Sequence, residues 1–269
     1  MIKNTKTNKG MKVLLKPLQW LYCIYAIGLF LAIMLLIFPF VLLAGLFGRI
    51  QGGNIILRLC TLWADIWFPL IFIFHKRIYE TPHNKQKQYV FVTNHISYID
   101  SAVLVKVIRQ PIRPLGKVEM AKIPLFGYIY KNAIVTVDRN NAANRTKSIR
   151  ILTSIIKRGI SVFFFPEGTF NTTHQPLKDF YDGAFRLAIE TQTPIKPVLF
   201  LDTYNRMHYD SVWSMTPGKC RVVFLEEIPV AGLTLTDVAA LKLKTHTIMK
   251  ERLEAYKAPW IKKENKTKN

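Results

Sequence analysis

Ala133-Ile-Val-Thr-Val-Asp138, then Ala143 to Lys157, then Ile160-Ser-Val-Phe-Phe-Phe165 decide the fold. The outer pieces are continuous apolar runs of the buried-strand kind. The middle piece carries Ile149, Leu152, Ile155 and Ile156 at helical spacing and stops at Gly159. Strand, helix, strand at this length predicts a parallel pair joined by a right-handed crossover. The same alternation continues on both sides. Strands are expected at Tyr89–Thr93, Arg113–Gly116, Ile195–Leu201 and Arg221–Leu225. Helices are expected from Ser97 to about Ile108, from 117 to Tyr130, and over Gly183–Thr191. A last helix runs to about Tyr256, opened by Thr234 and Asp237 as a capping box. The expected class is α/β, with a mixed, largely parallel sheet flanked by helices.

Upstream of that domain the chain changes character. Leu18 to Phe47 is a stretch of thirty residues without a charge. As a helix it would extend ~45 Å, against ~30 Å of bilayer hydrocarbon. It is too long for the apolar core of a cleaved signal peptide. Pro39 argues against a single straight helix. A second apolar stretch, Leu59–Phe74, is short for a span and rich in Trp, a residue favoured at the membrane interface. Residues 18–74 are therefore expected to be an N-terminal membrane-embedded helical region, as a hairpin or a re-entrant pair. The polar residues 75–88 read as the link into an α/β domain ending near residue 256. Basic tails, 1–17 and 257–269, complete the division.

The chain carries a formal charge of +21 over 269 residues. Such an excess suits nucleic acid or an anionic membrane. No nucleic-acid motif is present, and the apolar segments favour the membrane. Lysines at both ends favour a cytoplasmic placement of both termini and of the domain between them. The three cysteines, Cys23, Cys60 and Cys220, form no C-x-x-C pair and read as small hydrophobes in a reducing compartment. There is no H-E-x-x-H, the six histidines are scattered, and no metal site is expected.

Three of the apolar runs end in polar turns, and ligand sites form where the strands of open α/β sheets stop. Phe91-Val-Thr-Asn94-His95-Ile-Ser97-Tyr-Ile-Asp100 offers a histidine and, five residues on, an aspartate. On one helix these would lie ~140° apart. With His95 in the turn and Asp100 in the first helical turn they meet, and the carboxylate can fix the imidazole tautomer. Ser97 and Asp100 also fit a plain capping box, so structure and catalysis compete for this motif. Asp138-Arg139 offers a phosphate fork, although an isolated Asp-Arg is more often a surface ion pair. Phe165-Pro-Glu167-Gly168-Thr169 suits a ligand turn or any tight turn. Thr193-Pro-Ile-Lys-Pro197-Val suggests an edge strand or a rigid wall. No G-x-S-x-G elbow supports a serine nucleophile.

Taken in order, N-H-x-x-x-x-D, D-R, F-P-E-G-T and P-I-x-P-V resemble the glycerolipid acyltransferase family, which includes the lysophosphatidic acid acyltransferases. The resemblance covers residues 89–200. Gly116-Lys117 through Gly127 is similar to the family's segment between the first two motifs. Where family members often carry Phe-Lys-x-Gly, this chain reads Phe180-Tyr181-Asp182-Gly183. The resemblance implies that His95 is the general base for an acceptor hydroxyl and that Asp100 orients it. It implies that Arg139, Glu167, Gly168, Thr169 and Lys117 bind or position the glycerol phosphate, and that Pro197 lines the acyl-donor side. The substrates implied are a lysophospholipid and an acyl thioester of coenzyme A or of acyl carrier protein, with no cofactor and no metal. The expected reaction is acylation of 1-acyl-glycerol-3-phosphate to phosphatidic acid. Acylation of another lysolipid such as a lyso-aminolipid, lipid hydrolysis, and lipid binding without turnover are the rivals.

Overall fold

A computed structural model describes residues 16–138 and 141–262. Among them, seven strands form one sheet in the order β1-β7-β6-β2-β5-β3-β4. The strands are β1 (Ile73–Tyr79), β2 (Val90–Thr93), β3 (Ile112–Lys117), β4 (Val135–Val137), β5 (Ser161–Phe164), β6 (Ile195–Phe200) and β7 (Gly218–Phe224). β2 to β6 run parallel, and β7 with β1 runs against them. The sheet is thus mixed and largely parallel, as its apolar runs predict. β4 and β5 share a direction but do not pair, because β3 lies between them.

Alternation along each strand divides the core in two. Phe91, Phe163, Val198 and Phe200 face one side, where they join α1 (Lys16–Gly45), α2 (Gly53–Leu70) and α3 (Asp100–Val107). Val90, Val92, Val162, Phe164 and Leu199 face the other side. There they meet α5 (Ala142–Ile156), α6 (Gly183–Glu190) and α8 (Val238–Ala255). Between these lie α4 (Phe126–Ala133) after β3 and the single turn α7 (Thr203–Arg206) after β6. Both hydrogen bonds of the capping box at Thr234 and Asp237 are present.

Several expectations need correction. α1 continues through Pro39. The buried faces of Ile33, Met34, Ile37, Val41 and Ala44 hold it against the fold on both sides of the proline, offsetting the lost hydrogen bond. α2 is a layer of the domain as well as an apolar segment. Trp63 and Trp67, expected at a membrane interface, are buried against Phe30, at 4.2 and 5.1 Å between ring centres. The Trp67 indole N–H donates to the Ala26 carbonyl at 2.8 Å. Asp65 accepts from Lys106 at 2.6 Å and from both terminal nitrogens of Arg109, so the charge inside this apolar helix is paired.

The segment read as a polar link from residue 75 begins inside β1. β1 is an edge strand whose outward residues include Lys76 and Arg77, and charge on an edge masks the strand pattern. Conversely β6, whose Pro194 and Pro197 suggest an edge or a rigid wall, is interior and buried throughout, which rules out the edge. The β6–β7 register shifts by one residue between the Val198↔Phe224 pairing and the Ile195↔Ile228 bridge. Pro197 falls in that bulge, where a missing N–H is tolerated.

Asn94 ties the end of β2 to β6. Its side chain donates to the Phe200 carbonyl at 3.0 Å and accepts the Phe200 N–H at 2.9 Å, fully buried. Asn94→Ala strands both backbone groups and is expected to lower unfolding stability by about 1–3 kcal/mol. Denaturant unfolding in detergent checks this, and an unchanged midpoint would remove Asn94 from the framework.

Candidate active site

Parallel strands stop together at one edge of the sheet. Val92 pairs with Phe164, Phe163 with Pro114, and Lys117 with Val137. Carried two or three residues further, this register lines up Asn94, Pro166, Lys117 and Val137 across β2, β5, β3 and β4. His95 and Glu167 follow directly at the C-terminal edge. Lys117 stands two strand spacings from β2, roughly 10 Å.

After β2 the chain turns instead of entering a helix at Ser97. α3 begins at Asp100. Ser97 Oγ is drawn away to donate to the Met207 carbonyl, so only half of the expected capping box forms. The half that forms is the important one. Asp100 Oδ2 accepts the Ile96 N–H at 2.8 Å and the Ser97 N–H at 2.9 Å. The same oxygen lies 2.8 Å from His95 Nδ1. Asp100 is fully buried and His95 is 17% exposed. A carboxylate oxygen already accepting two N–H groups requires Nδ1 to be the protonated ring nitrogen. Nε2 is then left with its lone pair, the form a general base needs.

Aromatic rings fix the imidazole plane. Phe165 stacks on His95 at 3.9 Å and 17°, and Phe170 meets it edge-on at 4.4 Å. Phe170 in turn touches the exposed Tyr98 ring at 4.8 Å. Neither Phe165 nor Phe170 drew notice as a site residue, because a phenylalanine after a buried strand reads as core.

Glu167 faces inward. Its Oε1 accepts the His95 backbone N–H at 2.8 Å and its Oε2 accepts the Lys178 backbone N–H at 2.9 Å. Both oxygens are occupied by protein, and the residue is buried. Burial pushes its carboxyl up to about 8, against the pull of those two N–H groups and the Lys178 ammonium. Gly168, at φ 76°, makes the sharp turn that aims Glu167 back under His95. Asn171 closes the loop by donating its N–H to the His95 carbonyl at 2.7 Å.

Thr169 is exposed, and Lys178 Nζ donates to its hydroxyl at 2.7 Å. Lys178 thus brings a cation to the rim three residues before Tyr181, in the segment where the family's lysine is replaced. Lys117 ends β3 with its side chain half-exposed, 3.7 Å from Glu119. Pro197 is buried one strand over from Val92. Arg139 lies outside the described residues. The structure therefore gathers His95, Asp100, Glu167, Gly168, Thr169 and Lys178 at one turn pair, with Lys117 along the same edge.

This fold and site define an acyltransferase domain, and residues 75–201 match the family model described as acyltransferase. Over most of the chain the similarity is to the glycerolipid acyltransferases. It is 28% identical over 196 residues to a 1-acyl-sn-glycerol-3-phosphate acyltransferase of Haemophilus influenzae, covering 70% of this chain and 79% of that one. It is 30% identical over 163 residues to the human 1-acyl-sn-glycerol-3-phosphate acyltransferase beta, covering 60% and 58%. The matches thus span less than two thirds of the human proteins. The crystal structure of the 1-acyl-sn-glycerophosphate acyltransferase PlsC from Thermotoga maritima shares the fold. Its TM-score is 0.69 at 22% identity, over 92% of this chain and 98% of that one.

The Glu167 carboxyl is expected to link stability to pH. Its folded-state pKa lies above the ordinary carboxyl value of ~4.3, so the neutral form stabilises the fold at low pH. That contribution is lost as pH rises toward and through about 8. Compared with Glu167→Gln, which does not titrate, the native chain should lose thermal midpoint steadily over this window. A gap between the two that stays constant with pH would contradict the assignment.

Proposed function

We propose that this chain transfers a fatty acyl group from an acyl thioester to the free hydroxyl of 1-acyl-glycerol-3-phosphate, giving phosphatidic acid. The observation that carries the proposal is the His95–Asp100 pair at 2.8 Å, with the carboxylate buried and its accepting oxygen held by two backbone N–H groups. His95 Nε2 takes the proton of the acceptor hydroxyl as its oxygen attacks the thioester carbonyl. Asp100 steadies the imidazolium that forms. The tetrahedral intermediate collapses, the C–S bond breaks, and the imidazolium returns the proton to the departing thiolate. The ester and a free thiol leave, and His95 is neutral again. A thioester carries its own good leaving group, so alignment and proton transfer are the main tasks.

Lys178 and Lys117 are the described cations along this edge, and in this reading they hold the acceptor phosphate. Glu167 and Gly168 act by positioning the His95 turn, and Thr169 orients the Lys178 ammonium. Coenzyme A and acyl carrier protein both present the thioester this chemistry needs.

The enzyme works on a membrane, in the same reading. α1 is the one described helix long and apolar enough to cross a bilayer. Yet both of its ends rest on the domain. Tyr22 donates to the Ile71 carbonyl at 2.6 Å, and Phe38 meets Tyr128 edge-on at 6.1 Å. A helix packed along its length, with Leu21, Leu35, Leu36, Phe40 and Leu43 exposed on its outer side, suits one leaflet better than a crossing. The basic ends and the cytoplasmic origin of acyl thioesters support a catalytic edge on the cytoplasmic side, against anionic headgroups.

Purified protein given labelled acyl thioester and a panel of lysolipids tests the acceptor. Preference for a phosphate-free lysolipid would overturn it, and free fatty acid release without acceptor would indicate a hydrolase. His95→Ala and Asp100→Asn are expected to lower turnover by 10^2- to 10^4-fold, on the order seen for lost acid–base catalysis, without loss of membrane sedimentation. Headgroup binding with no turnover in the native chain would favour a binding protein.

A further inference from the structure

Beyond α1, a second apolar surface stands in solvent without a partner in the fold. After β3, a 3-10 turn (Val118–Lys122) and α4 are joined by Ile123-Pro124-Leu125, and residues 122–125 are all exposed. Met120, Ile123, Leu125 and Tyr128 are 38–43% exposed. Loop tips are normally polar. This one is apolar and also held under strain, because Leu125 sits at φ 59° and ψ −58° at the centre of a γ-turn, with the Phe126 N–H donating to the Pro124 carbonyl at 2.6 Å.

The tip is firmly built from behind. Gly127 N–H donates to the Ile123 carbonyl at 2.7 Å. A Cβ on Gly127 would come within 2.4 Å of the Ala121 carbonyl oxygen. Backbone closure this tight keeps the three apolar residues outside the core.

Its surroundings indicate what covers it. Tyr128 is the residue that half-buried Phe38 of α1 meets, so the tip lies beside the helix whose other side exposes Leu35, Leu36 and Phe40. Lys117, Lys122 and Lys131 flank it, against one acid, Glu119. Apolar side chains ringed by lysine match the boundary between acyl chains and anionic headgroups. The tip also follows Lys117 directly, so it rises from the same sheet edge that carries His95.

We propose that the Met120–Tyr128 tip is a separate membrane contact that seats the rim of the catalytic edge in the headgroup layer of an anionic bilayer. It rests on the reading that α1 is embedded in a leaflet. α1 fixes one side of the platform and the tip the other, so the edge faces the lipid at a fixed tilt. A lysolipid then reaches His95 without leaving the interface.

The test is depth measurement with a nitroxide attached at Ile123→Cys, comparing collision with oxygen and with a water-soluble nickel chelate. Cys23 and Cys220 are buried, and Cys60→Ser removes the half-buried native thiol. Leu36→Cys on α1, 72% exposed, and Leu243→Cys on α8, 66% exposed, serve as lipid and water references. In vesicles containing phosphatidylglycerol, position 123 should follow position 36 and exclude the chelate. If 123 behaves like 243 while 36 stays in lipid, the tip proposal is overturned and the embedded helix stands. If 36 is also aqueous, both are overturned. As a second readout, Ile123→Asp should raise the apparent KM for a long-chain lysolipid in vesicles about tenfold, the scale of one lost apolar contact. Activity on a monomeric short-chain lysolipid should be unchanged. An equal loss on both substrates would mean a folding defect or direct site damage and would contradict the proposal.

Discussion

One carboxylate organises the site. Asp100 Oδ2 takes three N–H groups, from the His95 ring and from the Ile96 and Ser97 backbones, in a place without solvent. A buried charge needs such partners. The same demand shapes the chain around it, because two successive backbone N–H groups can reach one oxygen only if the strand has already ended. The turn after β2, the delayed start of α3 and the tautomer of His95 therefore share one cause. Removing the charge would release the turn as well as the imidazole.

Support comes to His95 from below through a second carboxyl. Glu167 joins the backbones of His95 and Lys178, linking the turn after β2 to the segment leading to α6. Asn171 accepts from its own loop and donates to the His95 carbonyl, and Phe165 and Phe170 set the ring plane. Among the described residues, the second ring nitrogen of His95 and the Lys178 ammonium at Thr169 stay open toward substrate. That division suits a proton-transfer site in which the base must be held still while two lipid-sized substrates arrive.

The sequence carried much of this, though unevenly. Buried parallel strands are legible because both faces are apolar, so β2, β5 and β6 read as continuous runs. β1 escaped because an edge strand is only partly covered, and the adjacent exposed Lys76 and Arg77 put a charge on each of its faces. β6 was legible as a strand, but its prolines hid its central place, since a one-residue bulge leaves no local mark. At the site, the His95–Asp100 pair follows from spacing once the turn is assumed. The inward direction of Glu167 does not, because a glutamate in a Pro-Glu-Gly turn can point either way and only the neighbouring N–H groups decide. Phe170 and Lys178 depend on where the loop folds back, which composition alone does not set.

The apolar helices α1 and α2 are mechanically joined to the His95–Asp100 pair. Asp65 on α2 holds Lys106 and Arg109, at the end of α3 and just beyond it, and α3 begins with Asp100. On the other side of the turn, Ser97 reaches the Met207 carbonyl, in the segment leading to Met215, whose carbonyl meets Gln19 and Cys23 of α1. Arg113, buried in β3, donates to the carbonyls of Arg49 and Ile50 between α1 and α2, and burial lowers its guanidinium to about 10. A cation without an acidic partner among its hydrogen bonds, spent on chain carbonyls, is a costly way to fasten a connector. Its presence makes sense if the angle between helix pair and sheet matters. With three polar ties from the helix layer to the sheet and its turns, α1 and α2 cannot tilt against the sheet without moving Asp100.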